Sequence, residues 1–539
     1  MVDLREKISH YNFADLRNQF IRYIVIKNVI WIALCLLVGA GWRQIFMFSA
    51  IRTAFSLLFL VLWLTLDFAK SRSEKYHALP GRNLTDDMRK YKRSYDALLE
   101  YFRDADPHRL DVSDFPVIDW HNADGIIFGT VGNRLLCIPS SAEGNVVIYG
   151  PPGTGKTSGI AIPSAMVYRG SVLAVDIKGD LYNYVSQHTS RKIVRFCPDS
   201  PNALTDSCRF DPFLNIEKMD ATEKKLYLES MAMVLIPDDG GADGNYFSSR
   251  ARKIFQGVTH LLLYQNPNIS FPDVIHKILS GNIFDWVTKA QNSPCVEAKE
   301  LLLSFYGNSE KNVTGAYDAL TTALVHFSNP VLDKLLAKDP DSISIETLEN
   351  GSDIYLQISQ AHLDAYAPLF TLILESLSTA FTRRPDTSTA AGANNRPILM
   401  LLDEFPQLTF SYNMINSILA TLRSKSVNCM LIMQNLSQLE MKYRDGARSI
   451  IGNCHYQAIL GCNDIHSSKV FSEMIGTRKV LKISTSENNS DLSVNSGRNI
   501  QEAREPIFYP EDFGDLKGDL VLYFKGKYCK CKKINCYLN

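Results

Sequence analysis

The sequence lacks any excess of charge, because its 57 Lys and Arg residues are balanced by 57 Asp and Glu residues. A strongly basic chain would point to a nucleic-acid partner, and overall charge gives no such signal here. A local basic surface is still compatible with this balance. The sequence also lacks a detectable internal repeat.

The sequence contains no C-x-x-C motif, and its 11 cysteines are scattered. An odd, scattered set in a long chain is typical of reduced thiols in a cytosolic compartment. Cys529, Cys531 and Cys536 lie close together, but in an alternating stretch with no histidine nearby. We interpret them as ordinary strand cysteines, with a metal site as the alternative.

The N-terminal region carries two mainly apolar runs, residues 23–41 and 45–66, with no small-residue cleavage site between them. Each run is near the ~20 residues that cross a bilayer, and a removable signal peptide is not indicated. Basic residues precede the first run and follow the second, so the positive-inside rule assigns both termini to the cytoplasm. We predict a two-pass transmembrane hairpin, and the alternative is a buried helical hairpin in a soluble domain.

The rest of the chain has the pattern of an α/β protein. From Val146 onward, short apolar strands alternate with helical stretches, which predicts a parallel sheet. Between Phe213 and Leu336 helical patterns dominate, and we interpret this region as an inserted all-α domain. Residues 484–499 are rich in Ser and Asn and are predicted to be a mobile loop. The predicted organisation is a membrane anchor at 1–75, a nucleotide-binding domain at 76–215 and 341–539, and an all-α domain at 216–340.

The segment Gly150-Pro-Pro-Gly-Thr-Gly-Lys-Thr157 matches the pattern G-x-x-x-x-G-K-[ST] and follows an apolar run. Its glycines let backbone N–H groups turn toward phosphate oxygens, and the start of the next helix adds its positive end. Lys156 is expected to reach the β- and γ-phosphates, and the Thr157 hydroxyl to bind Mg²⁺. The predicted nucleotide-binding residues are Gly150, Pro151, Pro152, Gly153, Thr154, Gly155, Lys156, Thr157 and Ser158.

Asp403 and Glu404 follow a fully apolar run, residues 398–402, which predicts a buried strand with two carboxylates at its carboxyl end. Ligands of open α/β sheets bind at that end. We expect Asp403 to hold Mg²⁺ and Glu404 to polarise the attacking water as general base. An acidic strand end is common on its own, but its pairing with the phosphate loop predicts a nucleoside triphosphatase.

Two further polar residues flank the next predicted strand, residues 427–433. Gln434 ends it, where a polar group lies near the γ-phosphate and can position water; an amide bonded to backbone is the alternative. Arg423 precedes the strand, at a helix end. An arginine supplied by a neighbouring subunit can stabilise charge on the transferred phosphoryl group. Arginine is also favourable at helix C-termini, and the sequence alone favours that plainer interpretation.

The order and spacing of these motifs resemble the type IV secretion coupling proteins, the TraG/TraD-like family of membrane-anchored hexameric ATPases. The resemblance covers nearly the whole chain, including the N-terminal hairpin, the phosphate loop and the helical insertion. No single short piece is decisive. The other matching motifs are residues 175–180, 210–213, 402–406, 434–439 and 476–477.

The resemblance implies a RecA-like P-loop motor domain that uses ATP and Mg²⁺, with sites shared between the subunits of a homohexamer. It favours a functional role for Gln434 and a trans-acting role for Arg423. Lys425 remains a competitor, because residues 422–426 lack the glycines often seen there in the family. The resemblance also supports the roles given above to Lys156, Thr157, Asp403 and Glu404.

The resemblance further implies an enzyme at the inner membrane of a bacterium. Its expected function is to drive relaxase-bound DNA or effector proteins into a type IV secretion channel by ATP hydrolysis. Its expected partners are single- or double-stranded DNA, relaxase or effector proteins, channel ATPases, inner-membrane components and the membrane. Two alternatives stay open: a nucleotide-switched docking platform without motor activity, and a chromosome-segregation-type DNA pump, against which the helical insertion argues.

Overall fold

This computed structural model describes residues 109, 117–118, 122–237, 242–408, 410–490 and 493–537. The predicted membrane hairpin lies outside these residues. None of the described helices is both long enough and apolar enough to span a bilayer. The chain divides into two units, and the larger comprises Arg103–Val480 and Arg504–Asn539. The described part of the smaller unit lies within Leu481–Ala503.

The described strands are β1 (Val117–Ile118), β2 (Ile126–Val131), β3 (Arg134–Ile138), β4 (Asn145–Tyr149), β5 (Ser171–Asp176), β6 (Ile193–Phe196), β7 (Asp353–Gln357), β8 (Ile398–Leu402), β9 (Val427–Met433), β10 (Cys454–Ile459), β11 (Thr477–Ser490), β12 (Ser493–Pro506), β13 (Asp519–Phe524) and β14 (Lys527–Lys532). Twelve of them form one sheet in the order β1-β3-β2-β14-β13-β10-β4-β9-β8-β5-β7-β6. The other two, β11 and β12, pair with each other.

The described α-helices are α1 (Ile162–Val167), α2 (Asp180–His188), α3 (Ala203–Asp206), α4 (Ala221–Leu235), α5 (Ala242–Gln265), α6 (Phe271–Leu279), α7 (Ile283–Gln291), α8 (Val296–Leu302), α9 (Glu310–Leu324), α10 (Pro330–Leu335), α11 (Ile345–Glu349), α12 (Leu363–Thr382), α13 (Tyr412–Thr421), α14 (Leu436–Tyr443), α15 (Gly446–Gly452) and α16 (Ile465–Ile475). Short 3₁₀ turns cover Ile216–Lys218, Leu303–Phe305, Val325–Phe327, Gln360–His362, Gly392–Asn394, Phe405–Gln407, Leu422–Lys425 and Pro510–Asp515.

The large sheet is parallel in one part and antiparallel in the other. The strands from β10 to β6 in the sheet order pair in parallel. The strands from β1 to β13 pair antiparallel, and β13 joins them to β10. The predicted parallel α/β arrangement is therefore confirmed around the phosphate loop. The prediction did not include β1, β2 and β3, which precede the first predicted strand.

Both faces of the parallel strands are covered, which explains their continuous apolar sequences. Side chains alternate between faces along a strand. In β4, Val147 and Tyr149 join the hydrophobic cluster on one face of the sheet. Val146 and Ile148 join the cluster on the other face, together with Ile162 of α1. This double covering holds the strand ends, and so the residues that follow them, in fixed positions.

Every regular element that the structure describes between β6 and β7 is a helix, from α3 to α11. The predicted helical character of this region is confirmed. Its buried side chains, among them Phe255, Phe271 and Leu320, belong to the same cluster as Leu173 of β5. The helices therefore share a continuous core with the sheet, and the domain boundaries given above stay predictions.

Two sequence predictions near the end of the chain are wrong. The predicted loop at 484–499 is instead mostly strand, in β11 and β12. Paired strands satisfy each other's backbone groups, so a polar composition does not prevent them from forming. The interpretation of Cys536 as a strand cysteine, like Cys529 and Cys531, is wrong, because the chain leaves the sheet after Lys532, the end of β14. The segment beyond it contacts a helix, as described below.

Candidate nucleotide-binding site

The phosphate loop, Asp403, Gln434 and Asp176 of the 175–180 motif lie at the common carboxyl edge of four parallel strands. Gly150 follows β4, Gln434 follows β9, Asp403 follows β8, and Asp176 ends β5. Because β9 lies between β4 and β8, Gln434 stands between the phosphate loop and the acidic pair. The strand order thus brings together residues that are far apart in the sequence.

The phosphate loop is tied to its neighbouring strand and closed on itself. The Gly150 amide donates to the Met433 carbonyl at 3.2 Å. The Thr154 hydroxyl donates to the Pro151 carbonyl at 2.8 Å. Gly153 and Gly155 have φ of +80° and +90°, a region that L side chains rarely adopt. A Cβ at Gly153 would meet no atom within 4 Å, so the backbone angle and not space requires the glycine.

The helix after the loop does not begin as the sequence predicts. Thr157–Ala161 form a π-helical turn with Lys156 at its N-cap, and α1 follows directly. Such turns occur often at functional sites. Thr157 therefore lies at the first position of a π-helical turn and not of an α-helix.

Lys156 is buried, with 7% of its surface exposed. Its Nζ donates to the carbonyl oxygens of Gly150 at 2.6 Å and Pro151 at 3.3 Å. Burial lowers the pKa of the Lys156 ammonium, while the nearby carboxylates of Glu404 and Asp403 act in the opposite direction. The loop's own carbonyls thus hold the ammonium beside the two acids, where an anionic phosphate would strengthen its charged form.

Asp403 and Glu404 are both buried, with 6% and 3% of their surfaces exposed. Glu404 adopts φ +46°, an uncommon left-handed conformation for a residue with a side chain. Asp403 accepts a hydrogen bond from the Glu404 amide at 3.1 Å through Oδ1. Burial raises the pKa of Asp403 to about 7, and the neighbouring carboxylates of Glu404 and Asp176 add to the effect. This concentration of buried carboxylate oxygens fits a hard cation such as Mg²⁺.

Asp176 is the third buried acid at this edge, and its carboxylate is engaged by the backbone. Its oxygens accept hydrogen bonds from the amides of Gly179 at 2.9 Å and Tyr182 at 2.8 Å. Burial raises its pKa to about 6, and these amides oppose the shift. Asp176 therefore shapes the turn into α2, whereas Asp403 is the acid that is suited to a metal.

Gln434 contacts the Glu404 carboxylate directly. Its Nε2 donates to Oε1 at 3.3 Å and to Oε2 at 3.4 Å. This differs from the alternative of a strand-end amide bonded only to backbone. The contact restrains the carboxylate that the sequence analysis assigns as general base.

Arg423 is not in this site. It lies in the turn Leu422–Lys425, before β9, so the whole seven-residue strand separates it from Gln434. That strand is roughly 20 Å long at the usual rise per residue. Arg423 Nε pairs with Glu143 Oε2 at 3.2 Å, and its side chain is 43% exposed. Its Nη1 donates to His455 Nε2 at 2.8 Å.

Lys425, the competing cation, is more enclosed. Its Nζ pairs with Asp386 Oδ1 at 3.1 Å, and its side chain is 12% exposed. Sequence reasoning missed Glu143 and His455, the two partners of Arg423, because neither lies in a motif. Glu143 precedes β4 and His455 lies at the start of β10, so only the order β10-β4-β9 brings them beside Arg423.

A family model described as Type IV secretory system Conjugative DNA transfer matches residues 119–539. The chain belongs to this family. The predicted resemblance is therefore confirmed.

Two relatives illustrate the similarity. The conjugal transfer protein TraG of Escherichia coli is 24% identical over 456 residues, which cover 76% of this chain and 68% of TraG. Protein VirD4 of Agrobacterium fabrum (strain C58 / ATCC 33970) is 24% identical over 431 residues, which cover 78% of this chain and 63% of VirD4. The matched region thus spans about two thirds of the length of these relatives.

Solved structures of the plasmid coupling protein TrwB share the fold. A complex with the non-hydrolysable ATP analogue ADPNP has a TM-score of 0.58 at 16% identity, covering 79% of this chain and 93% of TrwB. A complex with ADP and Mg²⁺ has a TM-score of 0.57 at 16% identity, covering 76% of this chain and 88% of TrwB. The fold is therefore a TrwB-like α/β arrangement of a large mixed sheet and helices.

Proposed function

We propose that this chain is a membrane-anchored ATPase that couples substrates to a type IV secretion channel. It recruits relaxase-bound DNA, protein substrates or both, and ATP hydrolysis drives them into the channel. The observation that carries the proposal is the grouping of Lys156, Asp403, Glu404 and Gln434 at one sheet edge, next to the phosphate loop. Family membership and the names of TraG and VirD4 support the link to conjugative transfer.

The residues of the site have separate tasks in this proposal. The loop from Gly150 to Ser158 wraps the phosphates with its amides, and Lys156 binds the β- and γ-phosphate oxygens. Glu404 takes a proton from the attacking water, and Gln434 orients Glu404. Thr157 and Asp403 would hold Mg²⁺, which would neutralise phosphate charge. The choice of ATP and Mg²⁺ is supported by the TrwB complexes with ADPNP and with ADP and Mg²⁺.

The proposal assigns the active site to the interface between subunits of a homohexamer. Arg423 lies at the sheet edge opposite its own phosphate loop, and its side chain is 43% exposed. It is therefore too far away to serve its own site, and in this proposal it exchanges its contacts with Glu143 and His455 for a neighbour's phosphates. Lys425 is a weaker candidate, because it is 12% exposed and paired with Asp386.

The domain organisation of the proposal extends the fold that is described above. A RecA-like nucleotide-binding domain (76–215 and 341–539) carries an inserted all-α domain (216–340). The strand order around β4 and the helical connection between β6 and β7 support this division. Two apolar runs in residues 1–75 anchor the chain in the inner membrane of a bacterium, with both termini in the cytoplasm. Channel ATPases and inner-membrane components are the partners that receive the substrate.

Lys156→Ala tests the proposal in the native donor cell. The variant removes the ammonium that binds the phosphates, so substrate transfer is expected to fall to background while the protein level stays unchanged. Lys192→Ala is a matched control, because Lys192 is an exposed lysine that directly precedes β6 and lies outside every motif named above. Normal transfer by Lys156→Ala at equal protein level would refute an ATP-dependent role.

A further inference from the structure

The first turn of the nucleotide-binding helix leaves one carbonyl without a donor from its own helix. In the π-helical turn Thr157–Ala161, the Ile162 amide donates to the Thr157 carbonyl, five residues back. In an α-helix the Ile162 amide would instead donate to the Ser158 carbonyl, four residues back. In the π register the Ser158 carbonyl would accept from the amide of residue 163, five residues further along the chain. Residue 163 is proline, which has no N–H. Its own helix therefore supplies no donor to the Ser158 carbonyl.

The donor comes from residues 533–537, which follow β14 and which we call the 533–537 segment. The Cys536 amide donates to the Ser158 carbonyl at 3.1 Å. The segment also touches the next residue of the turn, since a Cβ added at Gly159 would stand 2.8 Å from the Ile534 carbonyl oxygen. Only a glycine permits so close an approach. The 533–537 segment thus lies directly against the turn that begins with Thr157.

Both ends of the 533–537 segment are fixed. At one end, Lys533 Nζ donates to the Leu460 carbonyl at 2.7 Å. Leu460 also borders the start of the phosphate loop, because a Cβ added at Gly150 would lie 3.2 Å from the Leu460 Cβ. At the other end, the Tyr184 hydroxyl donates to the Cys536 carbonyl at 3.0 Å, and its ring packs edge-on against Tyr537 at 5.5 Å. The segment therefore links α2, the helix turn and the border of the phosphate loop.

We propose that the 533–537 segment is a positioning element of the nucleotide site, which holds the turn in its π register and so presents the Thr157 hydroxyl to Mg²⁺. The proposal rests on the function proposed above, which assigns Thr157 to the metal. Without the Cys536 N–H, the Ser158 carbonyl either stays unpaired or recaptures the Ile162 amide as the turn becomes α-helical. The second outcome rotates Thr157 about the helix axis, away from its position in the π register.

Cys536→Pro tests the proposal, because proline removes the N–H that Ser158 accepts. Cys536→Ala is the matched control, since alanine loses the thiol and keeps the N–H. ADP affinity of the full-length protein would be measured by calorimetry with Mg²⁺ and again with EDTA. In Mg²⁺, the affinity of Cys536→Pro is expected to fall about 2- to 10-fold, the range for loss of one ordinary hydrogen bond. In EDTA it is expected to change little, and Cys536→Ala is expected to bind as the wild type does.

Two results would overturn the proposal: wild-type affinity of Cys536→Pro in Mg²⁺, or an equal loss with Mg²⁺ and with EDTA, which indicates general damage. If Cys536→Pro does not fold, Gly159→Ala carries the same test, because its methyl group pushes the segment away from the helix side. A Mg²⁺-selective loss supports the proposal, and its absence overturns it. Lys156→Ala tests the proposed function separately, since it is expected to lose ADP affinity in both conditions whatever the segment does.

Discussion

Replacing Arg423 with alanine is expected to abolish hydrolysis without affecting nucleotide binding. Arg423 is separated from its own phosphate loop by the length of β9, roughly 20 Å. An arginine supplied in trans contributes about 10³- to 10⁵-fold to phosphoryl-transfer rates, or about 4–7 kcal/mol of barrier. The pair with Glu143 is partly exposed on both sides, at 43% and 44%, so its loss is expected to cost no more than about 1 kcal/mol of stability.

The assay is steady-state ATP hydrolysis by assembled full-length protein, together with calorimetric binding of ADP and Mg²⁺. Lys425→Ala is the matched control, because Lys425 lies two residues away and pairs with Asp386. We expect Arg423→Ala to bind ADP like the wild type, to unfold at nearly the same temperature and to lose hydrolysis. Lys425→Ala is expected to hydrolyse ATP at the wild-type rate.

Mixing two inactive variants then tests whether the site is shared. In a mixed ring, an Arg423→Ala subunit supplies an intact Glu404, and a Glu404→Gln subunit supplies an intact Arg423. Some interfaces are then complete, and hydrolysis is expected to return in part. Lys156→Ala mixed with Glu404→Gln is the control, because both changes damage the same half of the site. Wild-type hydrolysis by Arg423→Ala alone, or no gain on mixing, would refute the trans assignment.

Two further changes probe the loop and the acids. Gly155→Ala forces a side chain into a backbone with φ +90°, which costs about 1–3 kcal/mol of strain. Calorimetry is expected to show nucleotide affinity up to about 100-fold weaker than that of the wild type. Unchanged affinity would contradict this prediction. Burial raises the pKa of Asp403 from 3.8 to about 7. The nucleotide-free folded protein therefore binds this proton more tightly than the unfolded chain does. Its free energy of unfolding falls as pH rises from about 4 to about 7. In EDTA, Asp403→Asn is therefore expected to have a higher Tm than the wild type at pH 8 and a smaller Tm difference at pH 5. A Tm difference that does not change with pH would contradict the raised pKa of Asp403.

The parts of the site that the sequence predicted are those encoded locally. Lys156 lies in a loop motif after an apolar run, and Asp403 and Glu404 directly follow a buried strand. Parallel strands deliver such residues to one edge whatever their order. The contact between Gln434 and Glu404 could not be predicted from local sequence, because it depends on the position of β9 between β4 and β8 in the sheet.

The features that the sequence analysis missed depend on distant partners. The π-helical turn after Lys156 is stabilised by Cys536, from the far end of the described chain. Pro163 was a local signal, since a proline near a helix start removes a backbone donor. The strands β1, β2 and β3 were not predicted because they lie outside the strand–helix alternation. They pair antiparallel with one another and, through β2, with β14.

The motor role is tested most directly by substrate transfer with Glu404→Gln, expressed at the wild-type level in the native donor cell. Loss of the general base is expected to slow hydrolysis about 10²- to 10⁴-fold while the phosphate loop still binds ATP. If hydrolysis drives transport, transfer falls with it. Transfer at the wild-type rate, in a variant that binds ATP without hydrolysing it, would contradict the motor and support the docking platform instead.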